Sequence, residues 1–488
     1  MIQKIFSDIA LYTLANIFHR VLIPFLSIIF ISSFSTELYG AWSIYASIIP
    51  LLILIIDLGF SKALGRLYFD FNDNKEKSIF IGNIILFRVV SFLIMSAICF
   101  IILYLTWEVI FLDIIDKFPF IYVLTLYVLF EVQLLFILTY FRVIYSSGIY
   151  FILRFSQFLI TIFLGIVFTS FYGFTGGTSS LAISSGIIII LAYLYLFIFK
   201  TKKIETRNFV YDHKHLKDLV NYSYPLLASD IAWWLRNTSI PIILSLYYPL
   251  EVAAKYYIAF IFVSAYGLLL WCISIAIEPI YFRYRSQNST ESDEFIKIIS
   301  RFIVFCISII TIFSAIISSL IITNFFKEFN QITNQIILIL IYGSYFQVFS
   351  IIWFKPVLFS KETKMVPILT CTVGIISVLF YFLFIPEYVL WGSAIINALA
   401  FFAIAIGAYY LASKIDNTGI EFLIYIPTAI LVAIAIFSYL MVLNNTLHVA
   451  MSLIIIVLCC ISIFLILIFK DISRINNLIN ANFSNTIK

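Results

Sequence analysis

The stretch LHVAMSLIIIVLCCISIFLILIF, residues 447–469, contains no Asp, Glu, Lys or Arg. About 20 consecutive apolar residues in a helix cross the roughly 30 Å hydrocarbon layer of a lipid bilayer. A surface helix of a soluble protein instead carries polar side chains along one face. The stretch therefore predicts a transmembrane helix.

Similar apolar runs recur along all 488 residues. Hydrophobic residues make up 63% of the chain and charged residues 11%, against roughly a quarter charged in soluble domains. This composition excludes a water-soluble fold and predicts an all-α integral membrane protein of about fourteen transmembrane helices. The predicted helices span residues 8–32, 41–65, 79–106, 119–141, 148–170, 179–200, 219–246, 252–278, 298–323, 334–354, 365–385, 390–412, 420–442 and 447–469.

Lysines and arginines predict the orientation of these helices. With the N-terminus in the cytosol, 22 of the 30 basic residues fall in cytosolic segments, whereas only Lys117, Lys255 and Lys327 fall in external loops. Cytosolic loops of membrane proteins carry this excess of basic residues. An error of one helix in the count would move every later loop to the opposite side of the membrane. This distribution of basic residues therefore predicts an N-in/C-in topology. Because topology explains the basic residues, we expect no nucleic acid partner.

A weak internal repeat predicts the domain organisation. At an offset of 214 residues, Glu37 pairs with Glu251, and Trp42 with Tyr256. A duplicated unit with an even number of helices keeps one orientation in both copies, which relates them by an axis along the membrane normal. We predict an N-terminal six-helix lobe at 1–200, a basic cytosolic linker at 201–218, a C-terminal six-helix lobe at 219–413, and two additional helices with a cytosolic tail at 414–488.

Ionisable side chains inside the predicted helices are the candidate functional groups, since a charge at the bilayer centre costs about 2.5–3.5 kcal/mol. Buried guanidinium groups stay charged and present a fork of donors to phosphate oxygens. A buried carboxylate can bind a coupling ion, either H⁺ or Na⁺, or neutralise a neighbouring arginine. The candidates for diphosphate or sugar binding are Arg20, Arg236, Arg88, Arg154 and Trp233, and those for ion coupling or charge pairing are Asp57, Glu131 and Asp230.

Several of these residues have a structural alternative. Arg88 and Arg154 lie in the cytosolic parts of their helices, where long cationic side chains extend to the lipid interface. Asp230 is a candidate partner for Arg236 on the same helix. Lys62, at the cytosolic end of the second helix, has a default role in topology, with attraction of anionic lipid head groups as the alternative.

Motifs of enzymes and pumps are missing from the sequence. It contains no GK[ST] phosphate loop, no HExxH and no paired external carboxylates. The six cysteines lie in apolar runs without CxxC spacing. We therefore expect neither an enzyme nor a cofactor or metal site.

Four stretches carry a family resemblance. They are SSFSTELYGAWSIYAS at 32–47, DLGFSKALGRLYFDFND at 57–73, LVNYSYPLLASDIAWWLRNTSIPIILSLYYPLEVAAKYYIAF at 219–260, and LFSKETKMVPILTCTVGIISVLFYFLFIPEYVLWGSAI at 358–395. The chain resembles bacterial flippases for O-antigen and capsular polysaccharide repeat units, within the multidrug, oligosaccharidyl-lipid and polysaccharide exporter superfamily. It departs from them at Ala254, where relatives commonly have glycine, and at 237–239, where many have an acidic residue. These departures leave the coupling ion open.

The resemblance implies two six-helix lobes around a central cavity, alternating access, and export of undecaprenyl-diphosphate-linked oligosaccharide across the bacterial inner membrane. Cationic residues hold the head group in that family, and Arg20 and Arg236 match this role by helix and depth. The implied partners are the lipid-linked oligosaccharide, membrane lipid and other polysaccharide-assembly membrane proteins. The rival functions are a drug or small-molecule cation antiporter of the same superfamily, and a polysaccharide polymerase. A polymerase would carry a large external loop with arginines, which this sequence lacks.

Overall fold

The computed structural model describes residues 2–71, 74–111, 117–198, 213–285, 290–326, 329–360, 364–415, 422–444 and 446–468. Most of the predicted linker, residues 201–212, and the predicted tail from residue 469 onward lie outside the described residues. The described residues form helices with these bounds: α1 Ile2–Ile31, α2 Thr36–Asp57, α3 Phe60–Leu67, α4 Asn74–Phe111, α5 Lys117–Val143, α6 Ser147–Ile198, α7 His213–Asn237, α8 Ile240–Ser245, α9 Leu250–Arg285, α10 Thr290–Phe325, α11 Asn330–Tyr345, α12 Gln347–Phe359, α13 Met365–Ile415, α14 Phe422–Leu443 and α15 Val449–Leu467.

The helical backbone follows from the apolar solvent. Hydrocarbon offers no hydrogen-bond partners, so each N–H and C=O group must be satisfied within its own segment. Hydroxyl side chains obey the same constraint by donating to carbonyls one turn earlier, as Ser27 does to Ile23 at 2.7 Å and Thr161 to Gln157 at 2.8 Å. The predicted all-α membrane fold is confirmed.

The two longest helices are each broken near the middle. α6 has 52 residues and α13 has 51, which at 1.5 Å per residue is about 75 Å, over twice the hydrocarbon thickness. Gly173 leaves the helical conformation in α6 with φ 59° and ψ −137°, and Val389 does so in α13 with φ 48° and ψ −118°. Glycine adopts a positive φ readily, whereas β-branched valine is strained there. Each long helix is therefore divided where a predicted loop joins two predicted crossings.

Three other predicted crossings are interrupted in the structure, and none of these interruptions was predicted from the sequence. The second crossing breaks between α2 and α3, where Leu58 and Gly59 have φ values of 50° and 76°. The seventh breaks between α7 and α8, and the tenth between α11 and α12. Non-helical backbone at membrane depth is tolerated only where protein or a water-filled cavity surrounds it.

Eleven helices of the described chain are long and apolar enough to cross a bilayer. Their lipid-facing character appears in large exposed apolar side chains, such as Leu105 at 72% exposure and Leu383 at 66%. In water such a surface would aggregate, but in a bilayer hydrocarbon covers it. The chain is a multi-pass membrane protein, while the count of fourteen crossings and the N-in/C-in topology stay predictions.

The chain folds into two compact units, Met1–Ala254 and Lys255–Lys488. The first unit therefore includes α7 and α8, which lie in the predicted C-terminal lobe at 219–413. The predicted lobe ranges, and the central cavity between lobes, stay predictions.

The positions paired by the internal repeat occupy equivalent places in their helices. Glu37 lies in the first turn of α2, and Glu251 lies in the first turn of α9. Trp42 and Tyr256 are both fully buried. The Trp42 indole donates to Ser27 at 2.8 Å, which joins α2 to α1. Equivalent burial at both sites supports the duplication.

The second unit is held mainly by apolar and aromatic contacts. One aromatic cluster is centred on Phe349. Its ring centroid lies 5.2 Å from that of Tyr345, 5.5 Å from that of Trp353 and 5.6 Å from that of Tyr425. Lys355 is buried in this unit, with its Nζ 3.4 Å from the carbonyl oxygen of Ser274. Ionisable groups are thus concentrated in the first unit, as the sequence predicts.

Close backbone packing at Gly40 gives a test of the first unit. A Cβ atom at this position would lie 2.1 Å from the carbonyl oxygen of Leu250, so Gly40→Ala forces α2 away from the start of α9. We expect a loss of about 1–3 kcal/mol of stability from overpacking, seen as a lower unfolding temperature in detergent. Gly267→Ala is the matched control, because its Cβ would meet nothing within 4 Å. Equal unfolding temperatures for the two variants would contradict the packing.

Candidate functional site

The first buried charge pair lies at the break between α2 and α3. Asp57 accepts hydrogen bonds from the backbone N–H of Ser61 at 3.2 Å and from its hydroxyl at 2.6 Å, which caps the new helix. Arg88 of α4 donates to Asp57 at 2.9 Å and to the Ser61 hydroxyl at 3.1 Å. Its other terminal nitrogen donates to the carbonyl of Val132 in α5. Asp57 and Arg88 therefore tie three crossings together.

Arg88 does not extend to the lipid interface as a snorkelling side chain would. It is 3% exposed, and its guanidinium lies 4.5 Å from the ring centroid of Phe136. A buried cation with a carboxylate, a hydroxyl and a carbonyl as acceptors is fully occupied by the protein. The structure therefore brings Arg88 to Asp57, which is the charge-pairing role rather than a substrate-facing one.

The second buried pair joins α5 to α6. Arg154 donates to Glu131 at 2.6 Å and to Gln157 at 2.7 Å. Gln157 in turn donates to the other oxygen of Glu131 at 2.7 Å and to Ser185 at 3.0 Å. Glu131 and Arg154 are each 2% exposed. Both carboxylate oxygens are thus engaged inside the first unit.

His19 of α1 adds an imidazole to this cluster. Its Nδ1 lies 3.8 Å from Oε1 of Glu131, and its side chain is 38% exposed. Neither His19 nor Gln157 is among the candidates selected from the sequence. The spacing of Arg154, Gln157 and Thr161, three to four residues apart on one helix face, could have indicated the polar face of α6, whereas nothing local in the sequence links His19 to Glu131.

The third pair joins α3 to α7. Lys62 and Asp230 form an ion pair, with side chains 48% and 30% exposed. Two further contacts hold α7 along the second crossing: the Trp234 indole donates to the carbonyl of Ser47 at 2.7 Å, and Ser223 donates to the carbonyl of Gly59 at 3.3 Å. The structure thus gives Asp230 a lysine partner, Lys62, 168 residues away.

The remaining candidates differ in their exposure. Arg20 is exposed on α1, directly after His19. Arg236 is 6% exposed near the end of α7, while Trp233 on the same helix is 51% exposed. The assignment of these three residues to substrate binding stays a prediction.

The described residues provide no group of three or more His, Cys, Asp or Glu side chains that could hold a metal ion.

Solved transporter structures share this fold. The lipid II flippase MurJ in an inward closed conformation aligns with a TM-score of 0.68 at 16% identity, covering 96% of this chain and 100% of that one. An inward-facing multidrug resistance MATE transporter of the MOP superfamily aligns with a TM-score of 0.65 at 15% identity, covering 81% and 94%. The Vibrio cholerae MATE transporter VcmN in the bent form aligns with a TM-score of 0.55 at 14% identity, covering 84% and 96%.

The chain therefore has the fold of these transporter structures. The sequence pattern of one family, described as polysaccharide biosynthesis protein, matches residues 3–285. This match covers more than half of the chain, and the chain belongs to that family. No curated protein sequence matches the chain significantly.

Removal of one partner tests the buried pair. Arg154→Ala leaves the Glu131 carboxylate buried without its guanidinium, which costs about 3–5 kcal/mol. We expect a strongly lowered unfolding temperature and loss of protein during purification. Arg66→Ala is the matched control, since Arg66 pairs with Asp70 at an exposed site, where pairs contribute about 0–1 kcal/mol. A small effect of both substitutions would show that Arg154 does not support the fold.

Proposed function

We propose that the chain flips an undecaprenyl-diphosphate-linked oligosaccharide, an O-antigen or capsule repeat unit, from the cytosolic to the external leaflet of the bacterial inner membrane by alternating access. The family description, polysaccharide biosynthesis, and the shared fold with a lipid II flippase support this proposal. The neighbour named for lipid II shows that this fold accommodates a lipid-linked substrate.

The positive balance of the first unit carries the proposal. The carboxylates Asp57, Glu131 and Asp230 stand against a larger set of cations, namely Arg20, Lys62, Arg88, Arg154 and Arg236, of which Arg20 and Lys62 are exposed. Each carboxylate contacts a cation of this set. The net positive charge of the set favours an anionic substrate, and a diphosphate is such a group.

The same pairs weigh against the rival function. An antiporter for cationic drugs needs an acidic group to bind its substrate. All three candidate carboxylates already contact an arginine or lysine, so a cationic drug would have to displace one of these partners. The drug antiporter therefore receives less support from the geometry than the lipid flippase does.

Arg20 and Trp233 are the residues we assign to substrate contact. Arg20 is exposed on α1, and a guanidinium presents a fork of donors to phosphate oxygens. Trp233 is half-exposed on α7, and its aromatic face can stack against a sugar ring. Arg236, which is buried, would act on the head group by its charge. Membrane lipid and other polysaccharide-assembly membrane proteins are the further partners of this proposal.

Complementation tests the proposal. In a bacterial strain lacking its own repeat-unit flippase, the wild-type chain should restore surface polysaccharide. Arg20→Ala should reduce it at least tenfold by removing a charge-assisted phosphate contact, worth about 1.5–3 kcal/mol, while Arg20→Lys should retain part of the activity. Arg236→Ala should also lower the activity, with its membrane level measured because Arg236 is buried.

Arg66→Ala at matched membrane level is the control, since this arginine is exposed and already paired with Asp70. If the wild type restored surface polysaccharide and both Arg20→Ala and Arg236→Ala restored it equally well, this result would contradict the cationic site. The antiporter would be favoured if the wild-type chain restored no surface polysaccharide in several strains that make different repeat units, and if it conferred drug resistance.

A further inference from the structure

His19 is an ionisable group at the edge of the charged interior that the flippase proposal does not use. Of the four histidines in the chain, His213 and His215 precede the seventh predicted span and His448 lies at the start of the last one, whereas His19 lies near the middle of the first. Its side chain is 38% exposed. Its Nδ1 atom is buried and has no hydrogen-bond partner in the structure.

Contacts between α1 and α6 fix the position of this imidazole. One turn earlier, Asn16 accepts a hydrogen bond from the Tyr150 hydroxyl at 2.9 Å. On the other side, the ring of Phe18 packs against Phe155 with centroids 4.8 Å apart, and against Phe158 at 5.3 Å. The position of His19 relative to α6 is therefore set by packing.

Three charged groups face His19. Glu131 comes from α5 with its Oε1 3.8 Å from Nδ1, Arg154 comes from α6, and Arg20 is the next residue on α1. Glu131 favours the protonated imidazole, whereas both arginines oppose it. With neutral His19 this group carries a net charge of +1, and with protonated His19 it carries +2. The protonation of His19 therefore depends on any further charge that enters the site.

The carboxylates of the interior are poorly placed to carry a coupling proton. Asp57 contacts Arg88 at 2.9 Å, Glu131 contacts Arg154 at 2.6 Å, and Asp230 contacts Lys62. A carboxylate that accepts from a guanidinium or ammonium must lose that partner before it can hold a proton. Histidine, in contrast, binds a proton at a ring nitrogen, and Nδ1 of His19 makes no hydrogen bond that would have to be lost first.

We propose that His19 is the proton-binding group of the transporter, and that its protonation is linked to binding of the anionic head group next to Arg20. The inference rests on the proposed function. The proton comes from water and adds at Nδ1, which creates an N–H donor directed toward Glu131. The negative charge of the diphosphate offsets the repulsion by Arg20 and Arg154 that opposes the protonated ring.

The linkage between proton binding and anion binding determines how the affinity for the anion changes with pH. Since the bound anion stabilises protonated His19, protonated His19 strengthens anion binding by the same factor. Affinity should therefore rise as pH falls and reach a plateau once the ring is fully protonated. A coupling of this kind is typically worth about 5- to 150-fold in affinity.

Binding measurements on the full chain in lipid nanodiscs test this inference. The probe is a prenyl-diphosphate monosaccharide, whose diphosphate is esterified at both ends and so does not titrate between pH 5.5 and 8. For the wild type we expect about tenfold tighter binding at pH 5.5 than at pH 8. His19→Gln and His19→Asn, both neutral, should bind with an affinity that changes less than about twofold over this range. His448→Gln, at the start of α15, is the matched control and should keep the wild-type pH dependence.

Proton uptake gives a readout that does not depend on any variant. Calorimetry of probe binding to the wild type, in buffers of different ionisation enthalpy, should show net proton uptake near neutral pH. Binding without pH dependence or proton uptake would overturn the assignment of His19, as would pH dependence that persists in both His19 variants. In each of these cases the flippase proposal stands. No binding of the probe to the wild type at any pH would overturn the flippase proposal itself.

Discussion

A charge in hydrocarbon must have a partner, and this constraint organises the first unit of the protein. The pair Asp57–Arg88 connects the break after α2 to α4 and, through Val132, to α5. The pair Glu131–Arg154 connects α5 to α6, and Lys62–Asp230 connects α3 to α7. Because removing one member of a buried pair costs several kcal/mol, the two buried pairs, Asp57–Arg88 and Glu131–Arg154, limit which helices can be neighbours. The second unit contains the ion pair Arg285–Asp293 and is otherwise held mainly by aromatic and apolar packing.

The candidate residues of the first unit differ in burial. Arg88 and Arg154 are each at most 3% exposed and are surrounded by protein acceptors. Arg20 and Trp233, by contrast, present exposed side chains on α1 and α7. His19 lies between them, with its ring partly exposed and its Nδ1 turned toward the buried Glu131.

Hydrophobic runs and basic loops were enough to predict an all-α multi-pass membrane protein, because length and composition alone decide whether a helix can cross a bilayer. The transporter fold was expected only from the family resemblance. The breaks at Leu58–Gly59 and at Phe346 were not predicted. Leu58 and Gly59 have positive φ values of 50° and 76°, whereas the interruption at Phe346 is a single residue with helical φ and ψ values of −62° and −17°. The ion-pair partners of Asp57 and Asp230 could not be predicted from the sequence either. Arg88 lies 31 residues from Asp57, and Lys62 lies 168 residues from Asp230. Only tertiary packing brings these residues together. The cluster of Arg154 with Gln157 was accessible in principle, because both lie on one face of a single helix.

Transbilayer movement of a lipid-linked sugar is the central claim, and leaflet exchange in proteoliposomes measures it directly. The purified chain would be reconstituted with a prenyl-diphosphate oligosaccharide carrying a fluorophore on its sugar, and an impermeant quencher would be added outside. If the protein is a flippase for this substrate, the fluorophores of the inner leaflet become accessible to the quencher over time, and they stay protected in protein-free vesicles. The claim would be contradicted if the inner-leaflet fluorophores stayed equally protected with and without the protein. If the same preparation also exchanged a cationic drug for protons, the protein would be an antiporter.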